Sequence, residues 1–287
     1  MKVIDTQPIK LIHNAKNIQF WLLAIAAGLI AIHFTLTGRD ADVSSQSMSV
    51  LYWLAVSSLV WEKRHHLSMK SSLLSSLLGL LLIMIVVLRG ASLASTNFLS
   101  VSPFLSGLGL GLLASGVKGL KQYWRELTIL FFFGVPKILL APFINITTLT
   151  AQLTVFILWY GGLDVQRQGT QVLLPVDGVN VVRSCSGFNS IFYLLGLAVI
   201  FLLLFPLKGV AKNVLVPIVA IVLAFFVNGC RIALLAIQMN AQNQSAFDYW
   251  HEGQGAALFP MIAVTLFGIF CYILRQHELS KHDYSES

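Results

Sequence analysis

Charged residues are scarce in this sequence, and so are cysteines. Only 11% of the 287 residues are charged, whereas 56% are hydrophobic. Soluble domains carry roughly a quarter charged residues, so the chain lacks the polar surface of a water-soluble fold. Its 3 cysteines are an odd number, and a complete disulfide framework is therefore not expected. These shortages argue against a soluble domain and against a disulfide scaffold.

The apolar residues come in long uninterrupted runs. A bilayer core of roughly 30 Å needs about 20 helical residues, and several runs approach that length. In lipid every backbone amide has to be paired within its own segment, which favours helices. The strands of a β-barrel would alternate apolar and polar residues, but residues 80–88 are apolar without alternation. The sequence therefore predicts an all-α fold, a polytopic transmembrane helical bundle.

About eight segments are predicted to span the bilayer. They are residues 20–36, 50–61, 73–88, 98–117, 127–143, 191–205, 214–236 and 256–274. The second segment is short, and Pro136 interrupts the fifth. No small-residue cleavage site follows the first segment, which favours a span over a cleavable signal peptide. No domain boundary or internal repeat is evident, so residues 1–287 are predicted to form a single membrane domain.

The placement of positive charge predicts the orientation of the chain. Lys and Arg number 19 against 12 Asp and Glu, and the basic residues cluster in short loops and at the termini. With eight spans these clusters fall on one side, which the positive-inside rule assigns to the cytoplasm. The N-terminal arm 1–19 and the tail 275–287 are then cytoplasmic, in a multi-pass protein of the cell inner (plasma) membrane. The excess of Lys and Arg over Asp and Glu is explained by the orientation of the chain in the membrane. The expected partner is therefore the lipid bilayer and not a nucleic acid.

Residues 144–184 are predicted to lie on the extracytoplasmic side. Residues 145–160 are apolar enough for a span, but a span there would upset the orientation of the later segments. We therefore expect an interfacial or re-entrant helix. Val172, Leu174 and Val179 belong to a stretch that partly alternates with polar residues, and Asp177 with Gly178 forms a turn pair. Residues 165–182 thus predict a small outer-face β-hairpin.

Cys185 is predicted to lie where this hairpin meets the next span. At a helix N-terminus, unpaired amides and the helix dipole favour the thiolate, which is the nucleophilic form. Ser186 is a plausible N-cap, Gly187 allows the close approach of a substrate backbone, and Arg183 adds positive charge. The alternative role for a membrane cysteine is apolar packing. Two further cysteines within spans, Cys230 and Cys271, fit that role.

Arg231 and His251 are predicted to lie at the same depth as Cys185. Arg231 is roughly 28 Å along its helix from Lys212, and a charge at membrane depth needs a partner or water. Its alternative role is to extend to the outer interface. His251 is expected in an outer loop, where Asp248 or Glu252 orients an imidazole that exchanges protons near neutral pH. A thiol, a base and an arginine suit acyl transfer.

Three short motifs resemble those of the exosortase/archaeosortase family, and within it those of the cyanobacterial exosortases. Cys185, Ser186 and Gly187 resemble its Cys-Ser-Gly motif, Asn228 and Arg231 its Asn-x-x-Arg, and His251 and Gly255 its His-x-x-x-Gly. The resemblance implies that Cys185, Arg231 and His251 form a catalytic triad. Supporting roles would fall to Ser186, Gly187, Asn228 and Gly255. The pair Arg183 and Ser184 departs from the small or acidic pair expected before the cysteine.

The resemblance also implies the substrates. These would be exported proteins whose C-terminal sorting signal contains a Pro-Glu-Pro motif (PEP-CTERM), a transmembrane helix and a basic tail. The enzyme would cleave this signal through a cysteine acyl-enzyme. It would then pass the protein to an acceptor of unknown identity, as a sortase does.

Other functions remain open from the residues alone. A transporter or channel would use Lys137 and Arg231 as intramembrane charges and Pro136 as a helix break, but no repeated halves are evident. The sequence has no Gly-x-Ser motif paired with a membrane histidine, which argues against an intramembrane serine protease. A purely structural assembly factor would leave the three motifs unexplained. His65 and His66 are adjacent and thus not spaced for one helix face, so neither a metal nor another cofactor is expected.

Overall fold

The chain is described from a computed structural model that covers residues 18–38, 43–91 and 96–286. Several predicted features lie outside the described residues: most of the N-terminal arm, the acidic turn at Asp40 and Asp42, residues 92–95 of one outer loop, and Ser287. Within the described ranges the structure is predominantly helical, with one small β-sheet.

Ten α-helices are described. They are α1 Ile18–Thr37, α2 Val43–Lys63, α3 Leu73–Ala91, α4 Thr96–Gly119, α5 Trp124–Leu140, α6 Thr147–Tyr160, α7 Phe188–Leu204, α8 Val210–Asn240, α9 Gln244–His251 and α10 Leu258–Glu286. Short 3₁₀ turns precede three of them: Leu120–Tyr123 before α5, Arg183–Cys185 before α7, and Gln254–Ala257 before α10.

Six described segments are long and apolar enough to cross a membrane. They are Gln19–Thr37, Leu73–Ala91, Asn97–Leu140, Arg183–Leu204, Val210–Asn240 and Gln254–Ser280. The third is 44 residues long and contains both α4 and α5, so it includes two of the predicted spans. The 21 residues of α2 include several serines and are less apolar. The predicted polytopic transmembrane helical bundle is confirmed. The number of spans, predicted as about eight, is approximate.

The chain packs as two compact units that divide between Phe131 and Phe132, within α5. In the first unit α3 and α4 approach closely at two glycines. A Cβ atom on Gly79 would lie only 2.6 Å from the carbonyl oxygen of Gly109. Buried His33 of α1 lies within hydrogen-bond distance of Ser49 in α2 (3.1 Å) and Ser102 in α4 (3.3 Å). Small residues and polar side chains thus join the helices, as is typical within membranes.

The second unit contains the remaining helices and the sheet. Its membrane core is formed where α7, α8 and α10 pack together through buried Leu194, Ala220 and Phe267. α8 has 31 residues and is therefore about 46 Å long, which exceeds the hydrocarbon thickness of a bilayer. The C-terminal part of α8, which includes Ile232 and Ala236, contacts the sheet.

The sheet has three strands where a hairpin was expected. β1 Gln166–Gln168, β2 Gln171–Leu173 and β3 Gly178–Asn180 form an antiparallel sheet in the order β1-β2-β3. Val172 pairs with Val179 and Leu173 with Gly178, so the two strands are connected by a turn at Pro175 and Val176. The predicted turn at Asp177 and Gly178 is displaced, because Gly178 is already the first residue of β3. β1 lies within the predicted hairpin range 165–182, but it is not recognisable as a separate strand because its three residues are all exposed and show no alternation.

The apolar face of the sheet packs against α6 and α8. Val172 is fully buried in a cluster with Leu158 of α6 and Ile232 of α8. α6 has only 14 residues and is about 21 Å long, which is too short to cross a bilayer core of roughly 30 Å. Its length suits the predicted interfacial or re-entrant helix, whose place in the membrane stays a prediction.

Candidate active site

Cys185 is the last residue of a 3₁₀ turn that follows the sheet. Its N–H donates to the carbonyl oxygen of Val182 at 3.0 Å, and its carbonyl oxygen accepts a hydrogen bond from Nδ2 of Asn228 at 3.0 Å. The predicted position at a helix N-terminus is wrong by one turn, because α7 begins at Phe188. Two hydrogen bonds to the backbone of Cys185, one from the Asn228 side chain and one to the Val182 carbonyl, fix its position.

The Sγ atom of Cys185 lies 3.4 Å from Nε2 of His251. This is the contact expected of a nucleophile and the base that takes its proton. The two residues are far apart in the sequence, and both belong to the second unit. Both side chains are partly buried, so the pair is screened by protein yet open on one side.

His251 is the last residue of α9, where the sequence predicted a loop. The ring of His251 stacks on that of Phe247, one helical turn earlier, with centroids 5.1 Å apart. Asn243 caps the helix because its side chain accepts a hydrogen bond from the N–H of Ala246 at 3.1 Å. This Asn is a regular N-cap signal that the prediction missed. The imidazole is therefore held by a capped helix.

Neither predicted carboxylate makes a hydrogen bond to His251. Asp248 accepts a hydrogen bond from Gln244 at 2.8 Å. Oε1 of Glu252 lies 3.6 Å from Nδ1 of His251, beyond a normal hydrogen bond, and the Glu252 side chain is 84% exposed. The stacked phenyl ring, and not an acidic side chain, restricts the imidazole.

Arg231 contacts the backbone of the same histidine. Its Nη2 atom donates to the carbonyl oxygen of His251 at 2.8 Å. The Nε atom is buried and has no hydrogen-bond partner among the described residues. Arg231 therefore ties the end of α9 to α8 and keeps one N–H donor unused. It does not extend freely into solvent.

Asn228 precedes Arg231 by one turn and faces the same turn of chain as Gly187. A Cβ atom on Gly187 would lie 2.8 Å from Cγ of Asn228, and the backbone of Gly187 has a φ of 84°. Both features require glycine. The space predicted for a substrate backbone at Gly187 is occupied by the Asn228 side chain.

Ser186 is buried, and its hydroxyl forms its shorter hydrogen bond to the 3₁₀ turn Arg183–Cys185 and not to α7. Its hydroxyl donates to the carbonyl oxygen of Arg183 at 2.8 Å and lies 3.4 Å from the N–H of Phe188. The predicted N-cap position is held by Gly187. The carbonyl of Ser186 accepts a hydrogen bond from Oγ1 of Thr150 at 2.7 Å.

Thr150 was not identified from the sequence. It is fully buried on a face of α6 that also carries Thr147 and Thr154. Three threonines at helical spacing in an apolar segment are the signal that could have revealed this polar face.

Gly255 lies in the turn between α9 and α10. A Cβ atom there would lie 2.6 Å from the ring of Tyr249 and 2.7 Å from that of Trp250. Glycine therefore lets the chain turn back closely over α9, which carries His251.

The two charges of the transporter alternative have different partners. Nζ of Lys137 lies 5.5 Å from the centroid of the Tyr193 ring, whereas Arg231 donates to the carbonyl of His251.

A cleft of about 290 Å³ opens beside Cys185 and His251, with walls from β3, α8 and α9. The cleft gives an extended ligand access to the sulfur and the imidazole. The site therefore combines a thiol, an imidazole at contact distance and an open approach.

Comparison with known proteins identifies a family. A family model described as Transmembrane exosortase (Exosortase_EpsH) matches residues 40–268, which is more than three quarters of the chain and includes the whole site. The match is to the family as a whole, so the cyanobacterial subgroup stays a prediction. No curated protein and no solved structure matches the chain.

Proposed function

Because the chain belongs to the transmembrane exosortase family, we propose that it is a membrane cysteine peptidase or transpeptidase with Cys185 as its nucleophile. The observation that carries this proposal is the 3.4 Å contact between Sγ of Cys185 and Nε2 of His251. A thiol needs such a base to attack a peptide carbonyl near neutral pH.

The reaction follows the sequence of an acyl transfer. His251 takes the proton of Cys185, and the sulfur attacks the carbonyl carbon of the scissile peptide. The tetrahedral intermediate collapses to a thioester while the leaving amine takes a proton from His251. An acceptor nucleophile, or water, then attacks the thioester and frees the cysteine.

Arg231 has two roles in this proposal. Its bond to the carbonyl oxygen of His251 holds the end of α9 in place. The positive charge of its guanidinium, which interacts electrostatically with Cys185, is proposed to stabilise the oxyanion of the tetrahedral intermediate. Asn228 and Thr150 hold the carbonyls of Cys185 and Ser186.

The proposed substrates are exported proteins that end in a Pro-Glu-Pro motif, a transmembrane helix and a basic tail. Membership of the family and the multi-pass fold support this choice, because a substrate with its own membrane helix is held in the same bilayer as the enzyme. The proposed site of action is the extracytoplasmic side of the inner membrane, and the acceptor is an unidentified nucleophile.

Co-expression with a tagged protein that bears a Pro-Glu-Pro tail tests this function. We expect the tail to be removed by the parent chain and retained with Cys185→Ala. Cys230→Ala and Cys271→Ala are matched controls, since both cysteines lie within helices and both variants should still process the tail. Tail removal by the Cys185→Ala variant would exclude Cys185 as the nucleophile.

A further inference from the structure

The outer edge of β3 borders the cleft and has no partner strand within the described parts of the chain. β3 pairs with β2 on one side only, since the order of strands is β1-β2-β3. In an antiparallel pair, alternate residues direct their N–H and C=O groups towards the partner strand. Val181 donates to Thr170, and Asp177 accepts from Leu174. Residues 177, 179 and 181 therefore face β2, and Asn180 faces the other edge.

The backbone groups on that edge are free to bind a ligand. Among the described residues, no hydrogen bond is made to the N–H or C=O of Asn180 outside the sheet, nor to the N–H of Val182. The carbonyl oxygen of Val182 accepts from the N–H of Cys185, so the edge runs directly into the turn that carries the sulfur. A free strand edge is a template for a further strand.

We propose that the substrate binds as a fourth strand on the free edge of β3, which guides its scissile peptide to Cys185. This inference rests on the proposed function and specifies how the peptide is recognised. Main-chain hydrogen bonds to Asn180 and Val182 provide the affinity. Ile232, Leu235 and Phe247 form an apolar wall of the same cleft. The occupant is therefore an extended peptide segment next to the scissile bond.

The spacing of prolines in a Pro-Glu-Pro motif suits such a strand. Side chains and backbone groups alternate with a period of two along a strand, so both missing proline N–H groups point to the same edge. The N–H and C=O of the glutamate point to the opposite edge and are available to Asn180. Prolines occur in strands only where their nitrogens face away from a partner.

Photocrosslinking tests the position of the substrate. Benzoylphenylalanine replaces Asn180 in one variant and Arg167 in another, both in a Cys185→Ala background that retains uncleaved substrate. Arg167 is a matched control because it lies in β1, on the far edge of the same sheet, and is also exposed. We expect a crosslink to the co-expressed tagged substrate from position 180 and none above background from position 167. Equal crosslinking from the two positions, or none from position 180, overturns the proposal.

A backbone substitution tests the function of the edge. Asn180→Pro removes an edge N–H without removing a ladder bond to β2, and Arg167→Pro does the same on the far edge. We expect Asn180→Pro to lose tail removal and Arg167→Pro to retain it, while the rate of Cys185 alkylation by iodoacetamide reports an intact site in both. Retained tail removal by Asn180→Pro overturns the proposal. If alkylation is lost as well, the crosslinking result decides.

The two failures are distinguishable. Tail removal that persists in the Cys185→Ala variant contradicts the proposed function itself. Tail removal that requires Cys185 but is unaffected by Asn180→Pro contradicts only the binding mode.

Discussion

Cys185 and Arg231 both contact His251, and they do so through different groups. The thiol contacts the imidazole ring, whereas the guanidinium contacts the backbone carbonyl. The residue types and their order predicted which side chains come together. They did not predict the contact between the Arg231 guanidinium and the His251 carbonyl, because every residue has a main-chain carbonyl and the sequence does not indicate which one is bound. Substitution of Arg231 is therefore expected to displace the base as well as to remove a charge.

The substitution Arg231→Lys separates charge from geometry. Lysine keeps the positive charge but lacks the planar guanidinium that reaches the His251 carbonyl. We expect tail removal to slow by about 100-fold, as for the loss of one donor in an oxyanion hole. Arg167→Lys is the control, since exposed Arg167 also donates to a carbonyl, that of Gly169. An unchanged rate with Arg231→Lys would leave charge as the only contribution of Arg231.

Gly187→Ala tests the close approach between the nucleophile turn and α8. The positive φ alone is expected to cost about 1–2 kcal/mol for a residue with a side chain. Gly162→Ala isolates that cost, since Gly162 has a φ of 81° and no atom within 4 Å of its Cβ position. We expect a larger loss of stability for Gly187→Ala, because its Cβ overlaps Asn228. Thermal unfolding of the purified protein in detergent measures both, and equal losses would contradict the overlap.

At the scale of elements, α6 supports the nucleophile turn through one hydroxyl. Thr150 donates to the carbonyl oxygen of Ser186 at 2.7 Å, and both residues are buried. The short helix is thus part of the wall behind the site. Its apolar composition was visible in the sequence, whereas its role in the site depends on which face meets the turn.

Thr150→Val removes the hydroxyl at nearly constant shape and leaves the Ser186 carbonyl without that donor. We expect a cost of about 1–3 kcal/mol in the free energy of unfolding. Thr154→Val is a matched control one turn away, because the Thr154 hydroxyl is buried without a hydrogen-bond partner among the described residues. We expect Thr154→Val to lower the free energy of unfolding little or not at all. Equal effects of the two substitutions, measured by denaturant unfolding, would argue against the support from Thr150.

α9 and β1 show why some elements escaped prediction. α9 has 8 residues, Gln244–His251, which is too short for helical periodicity to emerge from a polar stretch. β1 has 3 residues and is exposed throughout. The long apolar helices were predicted well because burial in lipid imposes a composition that a short surface element does not need.

At the scale of the whole molecule, the sequence predicts the sheet and the site on the extracytoplasmic side. α7 and its preceding turn form the apolar segment Arg183–Leu204, which separates the sheet from the basic loop at Lys208. If that segment crosses the bilayer, Gln168 and Lys208 lie on opposite sides. The predicted orientation places Lys208 in the cytoplasm.

Cysteine labelling tests this orientation. In a background where Cys185, Cys230 and Cys271 are alanine, we expect Gln168→Cys to react with a membrane-impermeant maleimide on intact cells. Lys208→Cys should react only after the cells are permeabilised. Reaction of both positions on intact cells, or of neither, would contradict the predicted crossing, and reaction of Lys208→Cys alone on intact cells would contradict the orientation.

The central claim is that Cys185 carries the substrate as a thioester during the reaction. Mass spectrometry of the acid-quenched enzyme, taken while the tagged substrate is being processed, tests it most directly. We predict that the peptide containing Cys185 gains the mass of the amino-terminal substrate fragment and loses it on treatment with neutral hydroxylamine. Processing with an unmodified Cys185, or an adduct on Cys230 or Cys271 instead, would contradict the account.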